Sequence, residues 1–177
     1  MIPQLETERL ILRGFRSEDF EAWASFLADP QTVRYLWGEP QAPTDAWRQM
    51  ALTLGHWMLR GYGMWAVERK SDRAMIGRVG MLNPVGWPGL EVGWTLGRPY
   101  WGQGYATEAA KASMRYAFLT QPVDSVISCI DPQNTASQAV ALRLGETKGP
   151  SKELSIGGHA FTVDIWSITR GDWQKRA

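Results

Sequence analysis

The stretch Leu96-Gly97-Arg98-Pro99-Tyr100-Trp101-Gly102-Gln103-Gly104-Tyr105-Ala106-Thr107-Glu108-Ala109 decides how this chain is read. A strand over Leu90 to Leu96 runs into a glycine-rich turn, and the turn opens a helix expected from about Gly104 to Leu119. Glycine lets backbone N–H groups converge without a Cβ in the way. The first turn of a helix adds partial positive charge, so such a loop can cradle phosphate oxygens. A plain tight turn uses the same residues, and Gly-x-Gly alone does not separate the two readings. No Gly-Lys-Ser/Thr follows, so the pattern is not that of a nucleoside-triphosphate P-loop. Thr107 stands where a dinucleotide fingerprint needs a third small residue, and no acidic ribose partner is evident.

Toward the N-terminus the apolar period changes. Met64 to Glu68, Met75 to Leu82 and Leu90 to Leu96 read as three short strands, split by the polar turn Lys70-Ser71-Asp72-Arg73 and the Pro/Gly-rich loop Asn83 to Gly89. Connections this short favour an antiparallel meander. Residues 5–16 read as one strand. Ser17 reads as the N-cap of a helix with the stripe Phe20, Trp23, Ala24 and Leu27, which Asp29-Pro30 ends while starting a short second helix. A third helix is expected from Thr44 to Gly61, with Trp47, Met50, Ala51, Leu54, Trp57 and Met58 on its buried side.

Toward the C-terminus, the helix after Gly104 turns Ala109, Ala112, Tyr116 and Leu119 inward. Val123 to Ile130 reads as a strand and Thr135 to Leu144 as a helix. Glu153 to Ile156 and Ala160 to Ile168 read as a hairpin about Gly157-Gly158. The result is one mixed α/β domain over residues 1–177. A doubly wound dinucleotide fold is disfavoured, because three consecutive strands have no helix between them.

The 177 residues carry 19 Lys+Arg against 18 Asp+Glu, a net charge of +1, so bulk charge makes no case for a nucleic-acid partner. Apolar residues at 44 % supply an ordinary core and exclude a disordered chain. The one cysteine, Cys129, forbids an internal disulfide and a Cys-based zinc cage, and suits a reducing, cytoplasmic setting. Glu6 and Glu8 fall where a signal peptide needs an apolar run, and no segment approaches the ~20 apolar residues that span a bilayer. The 10 tryptophans point to a large core, a ligand wall or an interface.

Ser128 to Gly145 is the second informative stretch, where Asn134 caps a helix and Gly145 closes it in the left-handed conformation. The two stretches, in this order, resemble the GNAT superfamily of acyl-CoA N-acyltransferases, and within it the ribosomal-protein-alanine acetyltransferase (RimJ/RimL) type. The resemblance covers nearly the whole chain. Glu6-Thr7-Glu8-Arg9-Leu10-Ile11-Leu12-Arg13 looks like the family's opening strand, and Ser17-Glu18-Asp19 its first helix start. Gly63-Met64-Trp65-Ala66-Val67, Ile76-Gly77 and Glu91-Val92-Gly93-Trp94 match its meander. Tyr100 to Ala109 resembles the acyl-CoA signature, and Asn134-Thr135-Ala136-Ser137 with Leu144-Gly145 the second CoA-binding motif.

This resemblance implies a central, mostly antiparallel twisted sheet of six to seven strands with helices on both faces, splayed at the acyl-CoA site. It implies transfer of an acetyl group from acetyl-CoA to a primary amine by direct attack, the amine being a protein N-terminus or a small molecule. A catalytically silent acyl-CoA-binding sensor is the competing class. The amides of Gln103, Gly104, Tyr105, Ala106 and Thr107 would hold the CoA pyrophosphate, with Trp101 in the same loop. The pantetheine would lie between the Leu90–Leu96 and Val123–Ile130 strands, a backbone N–H near Thr95 or Leu96 would stabilise the oxyanion, and Asn134 would bind the pantetheine or order its helix. No metal and no membrane partner is implied, and the chain is expected as a monomer or homodimer.

Glu91 is the candidate base, since Glu91, Gly93 and Thr95 share one strand face while Leu90, Val92, Trp94 and Leu96 share the other. A solvated or cross-strand-paired glutamate is the competing reading. Ser137, one turn beyond Asn134, is the candidate donor to the leaving thiolate, against a plain surface serine. Many members of the family place a tyrosine one turn later, where this chain has Ala141, and Glu146 replaces the aromatic usual after the Leu-Gly pair. His56 reads as a helix-face histidine, His159 as a solvated hairpin residue, and Cys129 as a small buried residue without a basic neighbour. Trp65, Trp94 and Trp101 belong to the family scaffold, and Trp47 and Trp57 to core packing. Trp37 and Trp87 are where an acceptor or a partner chain would be read.

Overall fold

The expected meander lies at the centre of an eight-stranded sheet in the computed structural model, which describes residues 1–36, 38–156 and 159–176. The strands are β1 (Leu5–Glu6), β2 (Leu10–Arg13), β3 (Met64–Arg69), β4 (Met75–Leu82), β5 (Glu91–Leu96), β6 (Ser125–Ile130), β7 (Thr147–Ile156) and β8 (His159–Thr169). They run in the order β1-β2-β3-β4-β5-β6-β8-β7, and the described pairings are antiparallel except β5 with β6. The helices are α1 (Phe20–Ala28), α2 (Pro30–Val33), α3 (Pro43–Arg60), α4 (Tyr105–Thr120), α5 (Thr135–Leu144) and α6 (Arg170–Gln174).

Two apolar clusters clamp the sheet. Under α4, Leu10, Trp65, Val67, Val79 and Val92 meet Ala109, Met114 and Phe118. Under α1 and α3, Trp23, Leu27 and Met50 cover Ala66 and Met75. Burial of these side chains at ~25 cal/mol per Å² is the main force holding the layers together. The second layer also carries charge: Arg13 donates to Asp19 at 2.8 Å and to Glu68 at 2.6 Å, which ties the start of α1 to the sheet. Paired at both ends, these buried ions avoid the cost of isolated charges.

The mixed α/β class and the meander stand as read, with local differences. Residues 5–16 form a hairpin and not one strand, because Thr7 turns the chain: its amide donates to Leu10 O and its hydroxyl accepts from Leu10 N, both at 3.0 Å. The buried stripe of α3 is Ala46, Met50, Thr53 and Trp57, whereas Trp47 and Met58 face outward. The Trp57 indole donates to Met64 O at 2.8 Å and packs edge-on against Trp65, which sets the rotation of the helix. Along α4 the inward residues include Ala110, Ser113, Ala117 and Phe118, while Leu119 is exposed. β7 starts at Thr147, and an irregularity between Lys148 and Ser151 absorbs Gly149-Pro150. The sheet has eight strands because the β1–β2 hairpin adds an edge. The short α6 shows no long apolar period; Thr169 caps it and Trp173 docks on Phe118.

Candidate active site

β5 and β6 pair only at Glu91 and Ile127, and the reason is chemical. Ile127 N–H donates to Leu90 O at 3.0 Å, as in a parallel ladder. The next rung would join Cys129 N–H to Val92 O. Instead Cys129 N–H donates to Glu91 Oε1 at 3.2 Å, and Val92 O accepts from Ser128 Oγ at 2.7 Å. Side-chain oxygens take the place of the ladder, and the strands part. The pairing of β5 with β4 turns the Thr95 amide toward β4, so the amides of Trp94 and Leu96 are those that face the gap. Leu96 O is occupied by the Trp101 indole at 2.7 Å.

Glu91 lies on the α1/α3 side of the gap and is 7 % exposed. Its Oε2 accepts from the Trp87 indole at 2.6 Å. Burial pushes its carboxyl up to about 7, against the hydrogen bonds from Cys129 and Trp87 and the charge of Arg78. The loop that brings Trp87 here is pinned by His56. Asn83 N–H donates to His56 Nε2 at 3.1 Å, so Nδ1 carries the proton and donates to Tyr62 O at 2.8 Å. His56 is committed to structure. Trp87 carries no helical or strand period; its place four residues before Glu91 in a Pro/Gly loop was the available signal.

On the opposite side of the gap lies Glu146, 2 % exposed, a residue that sequence reasoning did not place in the site. Its Oε1 is 3.0 Å from Ser128 Oγ, which also contacts Val92 O. The Ser128 hydroxyl donates its one hydrogen to this pair of acceptors, Val92 O and Glu146 Oε1. Burial pushes the Glu146 carboxyl up to about 8, the Ser128 contact opposes this, and the charge of Glu91 adds to it. Cys129, between the two, has its thiol pushed up by burial and is no nucleophile at neutral pH.

The glycine loop lies beyond the far end of the gap. Gly102 and Gly104 adopt φ of +72° and +81°, a region open to glycine, and α4 begins at once with Glu108 N donating to Gly104 O at 3.0 Å. The amides of Tyr105, Ala106 and Thr107 thus precede the first helical bond and are free to bind an anion. Arg9 latches this loop: it donates to Gln103 O at 2.9 Å, pairs with Glu108 at 2.7 Å, and stacks 4.5 Å over the Tyr105 ring. Arg9, 94 residues from Gln103 in sequence, gave no local signal. The Gln103 side chain turns back to Pro99 O, and Trp101 is 46 % exposed.

Asn134 Oδ1 accepts from Ser137 N at 3.1 Å and caps α5, and Ser137 Oγ accepts from the Trp94 indole at 3.2 Å. Ala141 is fully buried in the cluster of Ile130 and Trp166 against which Trp94 packs, so that position is filled by core. The structure thus brings Glu91, the Leu96 amide, Ser137 and Asn134 around one gap, with the glycine loop beyond it. Trp37 and the His159 side chain lie outside the described residues. Among the described residues no group of three or more His, Cys, Asp or Glu has metal-holding geometry, and no helix is long and apolar enough to cross a membrane.

Comparison with known proteins agrees with this geometry. Residues 9–147 match the acetyltransferase (GNAT) domain family. YkkB of Bacillus subtilis, an uncharacterized protein, is 30 % identical over 151 residues, covering 80 % of this chain and 84 % of its own. The [ribosomal protein uS5]-alanine N-acetyltransferase of Escherichia coli is 24 % identical over 179 residues, covering 96 % and 92 %. An acetyltransferase crystal structure from Agrobacterium tumefaciens superposes with a TM-score of 0.84 at 32 % identity, covering 96 % of both chains. With the splayed strands and the glycine loop at the head of α4 in place, the chain belongs to the GNAT acetyltransferase family and is an N-acetyltransferase.

Proposed function

We propose that this chain binds acetyl-CoA in the β5–β6 gap and acetylates a primary amine that approaches from the α1/α3 side, with Glu91 as base. The observation that carries this reading is the gap itself, where a buried carboxyl near its neutral point stands between parted strands. Bound acetyl-CoA supplies an activated thioester carbonyl. The amides of Tyr105, Ala106 and Thr107 hold its pyrophosphate, and the backbone amide of Leu96 holds the carbonyl oxygen as negative charge develops. Glu91 takes the proton that the amine loses as the C–N bond forms, directly or through one water. Ser137 already accepts from Trp94, so its own hydrogen is free for the sulfur as the C–S bond breaks. The acceptor is a peptide N-terminus, as in the Escherichia coli relative, or a small amine. The lone cysteine suits work in a reducing, cytoplasmic compartment.

The test is release of the free CoA thiol over a panel of small amines and N-terminal peptides, alongside the melting temperature with and without CoA. Turnover with a subset of amines is expected, together with stabilisation by acetyl-CoA. Stabilisation without turnover on any amine points to the silent sensor, and no stabilisation at saturating CoA overturns the reading.

A further inference from the structure

Arg78 is a cation laid against the edge of the core, and the carboxylate whose charge acts on it is that of the proposed base, Glu91. Its guanidinium lies 5.0 Å over the Trp23 ring, and Nη1 reaches Gln49 Oε1 at 3.3 Å. Nε is closed off from solvent without an acceptor. Among the described residues no carboxylate stands within 4.0 Å of it, whereas the buried Arg13 has two. A covered charge of this kind is costly unless something else supplies the counter-charge.

Its position suggests what does. Arg78 pairs with Thr95, Gly80 with Gly93 and Leu82 with Glu91, so Arg78 shares a sheet face with the proposed base. Gly80 and Gly93 stand between the two, and a Cβ at Gly93 would come within 3.3 Å of Glu91 Oε1. The two glycines put no side chain of their own on the floor between cation and base, and the Met64 methyl, 3.1 Å from where a Cβ of Gly93 would stand, lies over it. Arg78 is half-buried, so it is not sealed in the core. Burial lowers its guanidinium to about 10, which leaves it charged at neutral pH. The planar guanidinium fork matches a carboxylate.

We propose that Arg78 binds a carboxylate of the acceptor, so that the amine acetylated here also carries an acid group. The inference rests on the reading that the acceptor meets Glu91 on this face. A free amino acid and a peptide with an acidic first side chain present the same chemistry, and the assay separates them. The test measures kcat/KM for matched pairs: alanine against ethylamine, phenylalanine against phenethylamine, and peptide amides beginning with Asp against Asn. Wild type is expected to favour the acid-bearing member of at least one pair. Arg78→Gln should shrink that preference on the order of thirtyfold, and Arg78→Lys should restore part of it. No preference in wild type, or equal loss for both members in Arg78→Gln, overturns the proposal. If Arg78→Gln does not fold, the wild-type ranking decides. If no amine turns over, the activity reading fails separately, and calorimetry of the same pairs against the CoA-loaded protein reads Arg78 directly. Equal affinity within every pair then refutes the inference.

Discussion

The two sides of the β5–β6 gap solve different problems with different materials. Beyond the gap and on its α4 side the groups we propose to work are backbone amides at a helix start, presented by two glycines at positive φ. On the α1/α3 side they are side chains from β4, β5 and the loop between them, Arg78, Glu91 and Trp87, braced from α3 by His56 and Gln49. Backbone amides are fixed once the helix forms, so a cosubstrate common to a whole family can be held by local geometry. Buried charges need partners from other elements, so their placement waits on packing.

The contrast can be broken at four points, from the largest expected effect to the smallest. Gly104→Val places a β-branched residue at φ +81° in the middle of the anion loop. It should abolish the rise in melting temperature caused by acetyl-CoA while the fold persists. Glu91→Gln attacks the other side. Turnover should fall by roughly 10²–10³-fold with acetyl-CoA affinity unchanged, because only the proton step is lost. In wild type, kcat/KM should rise with pH through about 7 as Glu91 gives up its proton, and this limb should vanish in the variant. A rate unchanged in Glu91→Gln removes it from the mechanism.

Glu146→Gln sharpens the comparison at the seam. Glu146 has a folded value raised to about 8, so the stability it contributes is full below the ordinary carboxyl range and is lost as pH rises toward 8. Wild type should therefore lose about 2–4 kcal/mol relative to Glu146→Gln between pH 5 and pH 8, read from paired denaturation curves. Parallel curves would show that burial does not hold the Glu146 carboxyl above its ordinary range. Arg9→Ala tests the latch on the loop. Its ion pair with Glu108 is partly exposed, so the KM for acetyl-CoA should rise only about two- to fivefold.

How far each region could be read from sequence follows the same division. The meander, α5 and the glycine loop announce themselves through period, caps and turn residues, which act over a few positions. Asn134 and Gly145 cap α5 as their types demand. Trp47 and Trp57 show where that logic stops. Both fall in an amphipathic helix, yet Trp57 is buried and Trp47 is 58 % exposed, because contacts with Met64 and Trp65 set the rotation of α3. Glu146 is legible only as a departure from an aromatic. Its partner Ser128 is 18 residues away on another element, and no local pattern links them.

The sequence by itself determined the order of the central elements, the turn that frees the amides of Tyr105 to Thr107, and the family these imply. Those features depend on dihedral preference and on spacing along the chain. Only the tertiary structure decided that Glu91 and Ser128 would replace the ladder between β5 and β6, that burial would push the Glu146 carboxyl up, and that Arg78 would have no carboxylate within 4.0 Å among the described residues. Each of these depends on which distant group fills a buried hydrogen-bonding position, and that is settled when the layers pack.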